Sequence, residues 1–139
     1  MTLSFKYKSV KRPDGTEVKT PSIPVILKWK QQLDTIALLD SGADISAMPS
    51  AIAEILGCDL SGKKSSAFGI GGKVDAVDTK VSVFVGKAHE CYEFQIPVKV
   101  IFGDYEFPIL LGRAGFFENF IISFDQANGK VSLKKIGRR

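Results

Sequence analysis

Four apolar residues, Ile36-Ala37-Leu38-Leu39, run without interruption into Asp40-Ser41-Gly42-Ala43-Asp44. A short continuous apolar run reads as a buried strand, so a core element here delivers a carboxylate straight into a glycine turn. A carboxylate in that position must be paired, hydrogen-bonded or protonated, because desolvating an isolated ionised acid costs several kcal/mol or more. Ser41 can donate a hydroxyl hydrogen bond, and Gly42 lets the backbone approach closely. An ordinary turn can also contain Asp, Ser and Gly. The triplet alone is weak, and the context supplies the weight.

The 139 residues, 45% of them hydrophobic, are enough for one sound core and too few for two ordinary domains, so residues 1–139 read as a single domain. The net charge of +4 is spread along the chain rather than gathered into a stripe, which argues for solvated surface and against a nucleic-acid footprint. Cys58 and Cys91 are too few and too isolated for a zinc site or a disulfide framework, so no metal or other cofactor is expected. Reduced thiols lean towards an intracellular, cytoplasmic protein. No stretch approaches the ~20 apolar residues of a membrane span, and residues 1–11 lack the apolar run of a signal peptide, so no membrane partner is expected.

Along the chain, Leu3, Phe5 and Tyr7 alternate with Ser4, Lys6 and Lys8, and Arg12-Pro13-Asp14-Gly15 then turns towards residues 16–19, which predicts a hairpin. Residues 23–29 form the next strand candidate, its start placed at a sheet edge by Pro21 and Pro24, and it is expected to pair with the strand carrying Asp40. Residues 49–56 are the clearest helix: Pro49 suits the first turn, Ile52, Ile55 and Leu56 make an apolar face, and Gly57 closes the end. Residues 63–85 read as two strands folded about residues 69–72, with Val77, Thr79, Val81, Val83 and Val85 on one face. Further strands are expected at 92–102 and 106–111, a helical turn at 114–118, and a closing hairpin from 120–124 and 130–136 through Asp125-Gln126-Ala127-Asn128-Gly129. Short, closely spaced strands with little helix point to an all-β barrel or sandwich.

Other chemistry fits poorly. Gly69-Ile70-Gly71-Gly72-Lys73 lacks the Ser or Thr that a phosphate-binding loop needs after its lysine, and Val74 stands where a dinucleotide fingerprint would place glycine. A glycine-hinged flap is the better reading, since closely spaced glycines lower the cost of bending and let backbone amides face a ligand. His89 and Cys91 would share a strand face, but no third orienting group accompanies them. A serine triad through Ser41 would depend on that same histidine and lacks a nucleophile-elbow sequence.

The apolar run with Asp40-Ser41-Gly42-Ala43-Asp44 resembles the active-site signature of the retropepsin-like aspartic proteases. Ile109-Leu110-Leu111-Gly112-Arg113 resembles that family's second hallmark, an apolar run ending in Gly-Arg beside the active-site loop. Phe68-Gly69-Ile70-Gly71-Gly72, between them, is similar to the flap tip. The resemblance covers residues 22–117 and implies an all-β, closed acid-protease barrel with one short helix after the active-site loop. It also implies a two-fold homodimer acting as an aspartic endopeptidase on polypeptide substrates.

That chemistry needs two carboxylates sharing one proton, and this chain has a single Asp-Ser/Thr-Gly; Asp78-Thr79, for instance, lacks the glycine. The second acid would therefore come from a second copy. The resemblance gives Asp40 the catalytic role, has Ser41 hold the two active-site loops together and has Gly42 accept substrate backbone contacts. Ala43 and Asp44 fall among the substrate-binding residues, with Phe68, Gly69, Ile70, Gly71 and Gly72 of the flap. Leu111, Gly112 and Arg113 give structural support, with Arg113 expected to pair with Asp44. The competing class is a retropepsin-like barrel without catalysis, used for dimerisation or for gripping an extended peptide.

Overall fold

The computed structural model describes residues 2–69, 71–103 and 107–137. Its strands are β1 (Thr2–Lys6), β2 (Lys8–Lys11), β3 (Glu17–Thr20), β4 (Ser22–Lys28), β5 (Gln32–Leu39), β6 (Ser46–Pro49), β7 (Lys64–Gly69), β8 (Gly72–Lys87), β9 (Glu90–Ile101), β10 (Leu110–Leu111), β11 (Phe120–Asp125) and β12 (Lys130–Lys135). One α-helix, α1 (Ser50–Leu56), and a 3-10 turn at Phe117–Asn119 complete the described elements. The protein is thus mostly β, and no helix among the described residues is long and apolar enough to cross a membrane.

The main sheet runs β4-β5-β10-β6-β9-β8-β7, and β4 also pairs with β8 through Ile26, Leu27 and Lys28. The ladder therefore returns on itself through six strands, leaving β7 as an outlying strand on β8. Alternation decides what fills the interior. Val81, Val83 and Val85 of β8 and Ile96, Val98 and Val100 of β9 point inward and are buried, joined by Ile23, Val25 and Leu27 of β4. At Pro24 strand β4 is paired with β5 only, so the proline removes no donor from a second ladder.

The helix forms where Pro49 ends β6, and Gly57 stops it: at φ +75° its N–H reaches the Glu54 carbonyl while Cys58 N–H reaches Ala53. Its buried face is Ala53 and Leu56 with Ile52 beside them, and Ile55 is exposed. The expected apolar face thus included one residue too many, because position 55 lies off the side that meets β5, β6 and β9.

Two expected strands change. The alternating run 3–10 is not one strand: it breaks at Tyr7, whose N–H donates to the Gly129 carbonyl at 2.8 Å and whose side chain is buried. Before the break, β1 pairs antiparallel with β12; after it, β2 pairs with β3. A three-stranded sheet β1-β12-β11 results, its inner face (Leu3, Phe5, Val131, Leu133) closing onto the same core. The strand expected at 106–111 shortens to Leu110–Leu111, because Pro108 has no N–H for a ladder; residues 104–106 lie outside the described residues.

Candidate active site

Strands β5 and β10 run parallel, with Leu38 opposite Leu110 and Leu39 opposite Leu111. Both strands end at the same level, so the two loops that follow meet. Asp40 N–H donates to the Leu111 carbonyl at 3.0 Å, and Ala43 N–H closes the turn on the Asp40 carbonyl at 3.1 Å. Within that turn Asp40 Oδ1 accepts the Gly42 N–H at 2.9 Å. A Cβ on residue 42 would stand 3.2 Å from the same oxygen, tighter than most Cβ contacts, so a larger residue there would press on the Asp40 carboxylate.

The second loop grips the first through main-chain groups. Arg113 N–H donates to the Ala43 carbonyl and Ala114 N–H to the Asp44 carbonyl, each at 2.9 Å. Gly112 N–H donates to the buried Ser46 Oγ at 2.9 Å. At Gly112 a Cβ would lie 2.7 Å from the Ile45 carbonyl carbon and 2.9 Å from both the Ala43 oxygen and the Ser46 nitrogen, so only glycine allows this approach. Leu111, fully buried just before it, anchors the segment in the core.

The expected ion pair between Asp44 and Arg113 is not formed. Among the described residues the one ion pair joins Lys99 to Asp78. Asp44 is exposed and contributes its carbonyl, while the Arg113 guanidinium donates to the Ser41 carbonyl at 3.4 Å. Proximity of the two residues is real, but backbone groups make the contact. Asp40 is half-buried and Ser41 and Gly42 are exposed, so the carboxylate opens to solvent. Two hollows of about 410 and 420 Å³ lie along β4 with β8 and at the tip between β8 and β9, and Asp40 lines neither.

The two strands expected about residues 69–72 form the β7–β8 hairpin: the ladder runs from Lys64 opposite Val77 to Gly69 opposite Gly72, with Gly72 at φ +110°. Ile70, expected at its tip, lies outside the described residues. Phe68 is exposed, and a Cβ on Gly69 or Gly71 would meet nothing. The hairpin shares no hydrogen bond with the Asp40 loop among the described residues.

Sequence reasoning missed a cluster at the root of this hairpin. Ser65 Oγ donates to Asp78 Oδ1 at 2.6 Å, and Lys99 Nζ reaches Ser65 Oγ at 3.0 Å and Asp78 Oδ1 at 3.1 Å. Asp78 sits opposite Lys99 in the β8–β9 ladder, so three neighbouring strands are tied on one face. No local motif announces it; only the register does. The Ser65 hydroxyl, with help from Lys99, holds the Asp78 carboxyl below its ordinary value of 3.8. A depressed carboxylate adds stability that is present above the unfolded-state value and lost as pH falls through the folded one. Asp78→Asn should therefore lower the thermal midpoint at neutral pH, with the gap to wild type narrowing below about pH 4. An equal gap at pH 7 and pH 3 in a thermal-melt series would contradict this.

No family model matches the sequence, and no curated protein matches it. Among solved structures, a retropepsin-like aspartic protease from Rickettsia conorii superposes with a TM-score of 0.62 at 24% identity, covering 96% of this chain and 92% of that one. The fold is retropepsin-like. EIAV protease in complex with an inhibitor aligns at TM-score 0.48 and 26% identity over 68% of this chain and 83% of its own. Within the retropepsin-like fold, the Asp40 turn and the Gly112-Arg113 turn are the two loops at the ends of the parallel strands β5 and β10.

Proposed function

We propose that this chain is one subunit of a homodimeric aspartic endopeptidase, and that Asp40 from each of two copies forms a single catalytic dyad inside a closed acid-protease barrel pair. The observation that carries this reading is the Asp40 turn itself: one carboxylate, held by Gly42 N–H and backed by Gly112, on a retropepsin-like fold and open on its outer side. Two such acids about 3 Å apart cannot both ionise. One then takes a proton from a bound water as its oxygen attacks the peptide carbonyl carbon, and the other gives its proton to the carbonyl oxygen. Collapse of that tetrahedral intermediate breaks the C–N bond, with a proton passing to the leaving amine.

The other residues follow from the same reading. Ser41 bonds across the two-fold axis, Gly42, Ala43 and Asp44 meet the substrate main chain, and Phe68, Gly69, Ile70, Gly71 and Gly72 close over it. Leu111, Gly112 and Arg113 hold the loop from behind. The substrate is an extended polypeptide, and the free thiols of Cys58 and Cys91 accord with the cytoplasmic setting we propose. Cleavage of a peptide library should give a bell-shaped pH profile whose two limbs belong to the dyad as a unit, and a statine-type inhibitor should block it. Specific activity should also fall on dilution through the dimer dissociation range. Cleavage that persists to alkaline pH, untouched by the inhibitor, would overturn the reading.

A further inference from the structure

The outer face of β4, β5 and β8 carries an apolar strip. Alternation sends Val25 and Leu27 of β4 and Ala37 and Leu39 of β5 into the core, so Pro24, Ile26, Ile36 and Leu38 face out. The ladders set Ile36 opposite Pro24 and Asp34 opposite Ile26, and they bring Phe84 alongside Ile26 from the other side. Ile36 is 43% exposed and Phe84 37%. Outward positions of an antiparallel sheet are ordinarily polar, and a contiguous apolar run there marks a contact surface. Two hollows lie along it. One, of about 280 Å³, covers Ile36 and Leu38 and is walled by Phe107 and Pro108. The other, of about 410 Å³, covers Ile26 and Phe84, and the two meet at Thr35.

Two features of the strip say what covers it. It begins on the strand that delivers the candidate catalytic acid, because Leu38 stands two residues before Asp40 and the strip runs back along β5 from there. Its far end is acidic. Asp34 and Glu90 both line the larger hollow, and Asp34 joins no ion pair among the described residues. The lysine of that hollow, Lys87, turns its Nζ away to the Ser4 carbonyl at 2.8 Å. On a chain of net charge +4, this end of the strip is suited to a cation.

We propose that this strip is a second contact surface for the polypeptide substrate: it holds a segment flanking the cleaved bond, with apolar side chains over Ile36 and Phe84 and a lysine or arginine at Asp34. The inference rests on the reading of Asp40 as the catalytic acid and adds a sequence preference remote from the bond. Asp34 precedes Asp40 by six residues, which on an extended strand is about 20 Å. An extended substrate covers that distance in about six residues, so the preferred cation lies about five to seven residues from the cleaved bond. Such a contact is made equally in the ground and transition states, so it acts on KM more than on kcat.

The test uses a core peptide drawn from the library cleavage and the same peptide lengthened, on each side in turn, by a Leu- and Phe-containing segment with Lys or Asp about six residues from the bond. On one side the Lys form should show a kcat/KM about fivefold above the core peptide, through KM, and the Asp form should gain less. Asp34→Lys should reverse the order of the two forms, and Asp34→Asn, which keeps the volume, should abolish the preference without reversing it. Ile36→Ser should bring both long forms back towards the core peptide. Equal kcat/KM for the Lys and Asp forms on both sides, or an order unchanged in Asp34→Lys, overturns the proposal. So does a loss of self-association in Ile36→Ser by sedimentation velocity, which would assign the strip to a second copy. Fluorescence anisotropy of the labelled segment alone, Lys form against Asp form, reads the strip without any cleavage. If no peptide is cleaved but the Lys segment still binds more tightly, the catalytic reading fails and the strip stands; if peptides are cleaved and the two segments bind alike, the strip fails alone.

Discussion

Asp40→Asn is expected to lower peptide hydrolysis by about 10³-fold or more while leaving the fold intact. The amide keeps the volume and the Oδ1 acceptor that receives the Gly42 N–H at 2.9 Å, so the turn survives. What it loses is the ability to exchange a proton. The thermal midpoint should accordingly remain near that of wild type, because substitutions at solvent-open positions usually move stability by no more than about 0.5 kcal/mol. The same variant separates a shared site from an independent one. Mixed in equal parts with wild type and allowed to exchange, D40N chains should capture about half of the wild-type chains in pairs with one acid missing. Activity per wild-type chain then drops by about that fraction, and keeps dropping as the variant is added in excess. Activity strictly proportional to the wild-type chains present, at every mixing ratio, would mean that each chain acts alone.

Gly112→Ala is the second large effect, and it acts on structure first. The added methyl would meet the Ile45 carbonyl carbon at 2.7 Å, the Ala43 oxygen at 2.9 Å and the Ser46 nitrogen at 2.9 Å. All three are main-chain atoms, so no side chain can rotate away and the Asp40 loop itself must shift. Overpacking of this kind costs about 1–3 kcal/mol. Displacing the loop also disturbs the Ser46 Oγ contact, and a buried N–H left without an acceptor adds about 1–3 kcal/mol. The variant should melt several degrees lower and lose most of its peptide hydrolysis. Gly71→Ala provides the contrast, since a methyl there meets nothing within 4 Å and should leave the melting curve unchanged. Equal melting temperatures for the two variants would show that the Gly112 contact is looser than the geometry implies.

Much of this was legible in the residues because the signals are local. The apolar run into Asp40, the Pro49 and Gly57 boundaries of α1 and the glycines between β7 and β8 each constrain their own backbone, whatever the rest of the chain does. The misses share the opposite character. Alternation at Leu3, Phe5 and Tyr7 marks a strand but not its partner, and β12 lies at the other end of the sequence. The likeness that brought Arg113 close to Asp44 carried proximity but not the atoms in contact, and main-chain carbonyls took the place of the expected carboxylate. Ser65, Asp78 and Lys99 come together only through the ladder register of β7, β8 and β9, which no short motif encodes.

The pairing of β1 with β12 has a kinetic side. Leu3 meets Leu133 and Phe5 meets Val131, so this ladder closes a loop running from residue 3 to residue 133. Closing so large a loop early would spend chain entropy before any contact repaid it. The order that avoids this is local hairpins first, β8 with β9 and β11 with β12, then the main sheet, and the docking of β1 last. During synthesis β1 emerges well before β12 and has no partner strand to join until residues 130–135 have left the ribosome. For most of that time its Leu3 and Phe5 side chains stay solvated, and the interval ends when the final hairpin arrives to cover them.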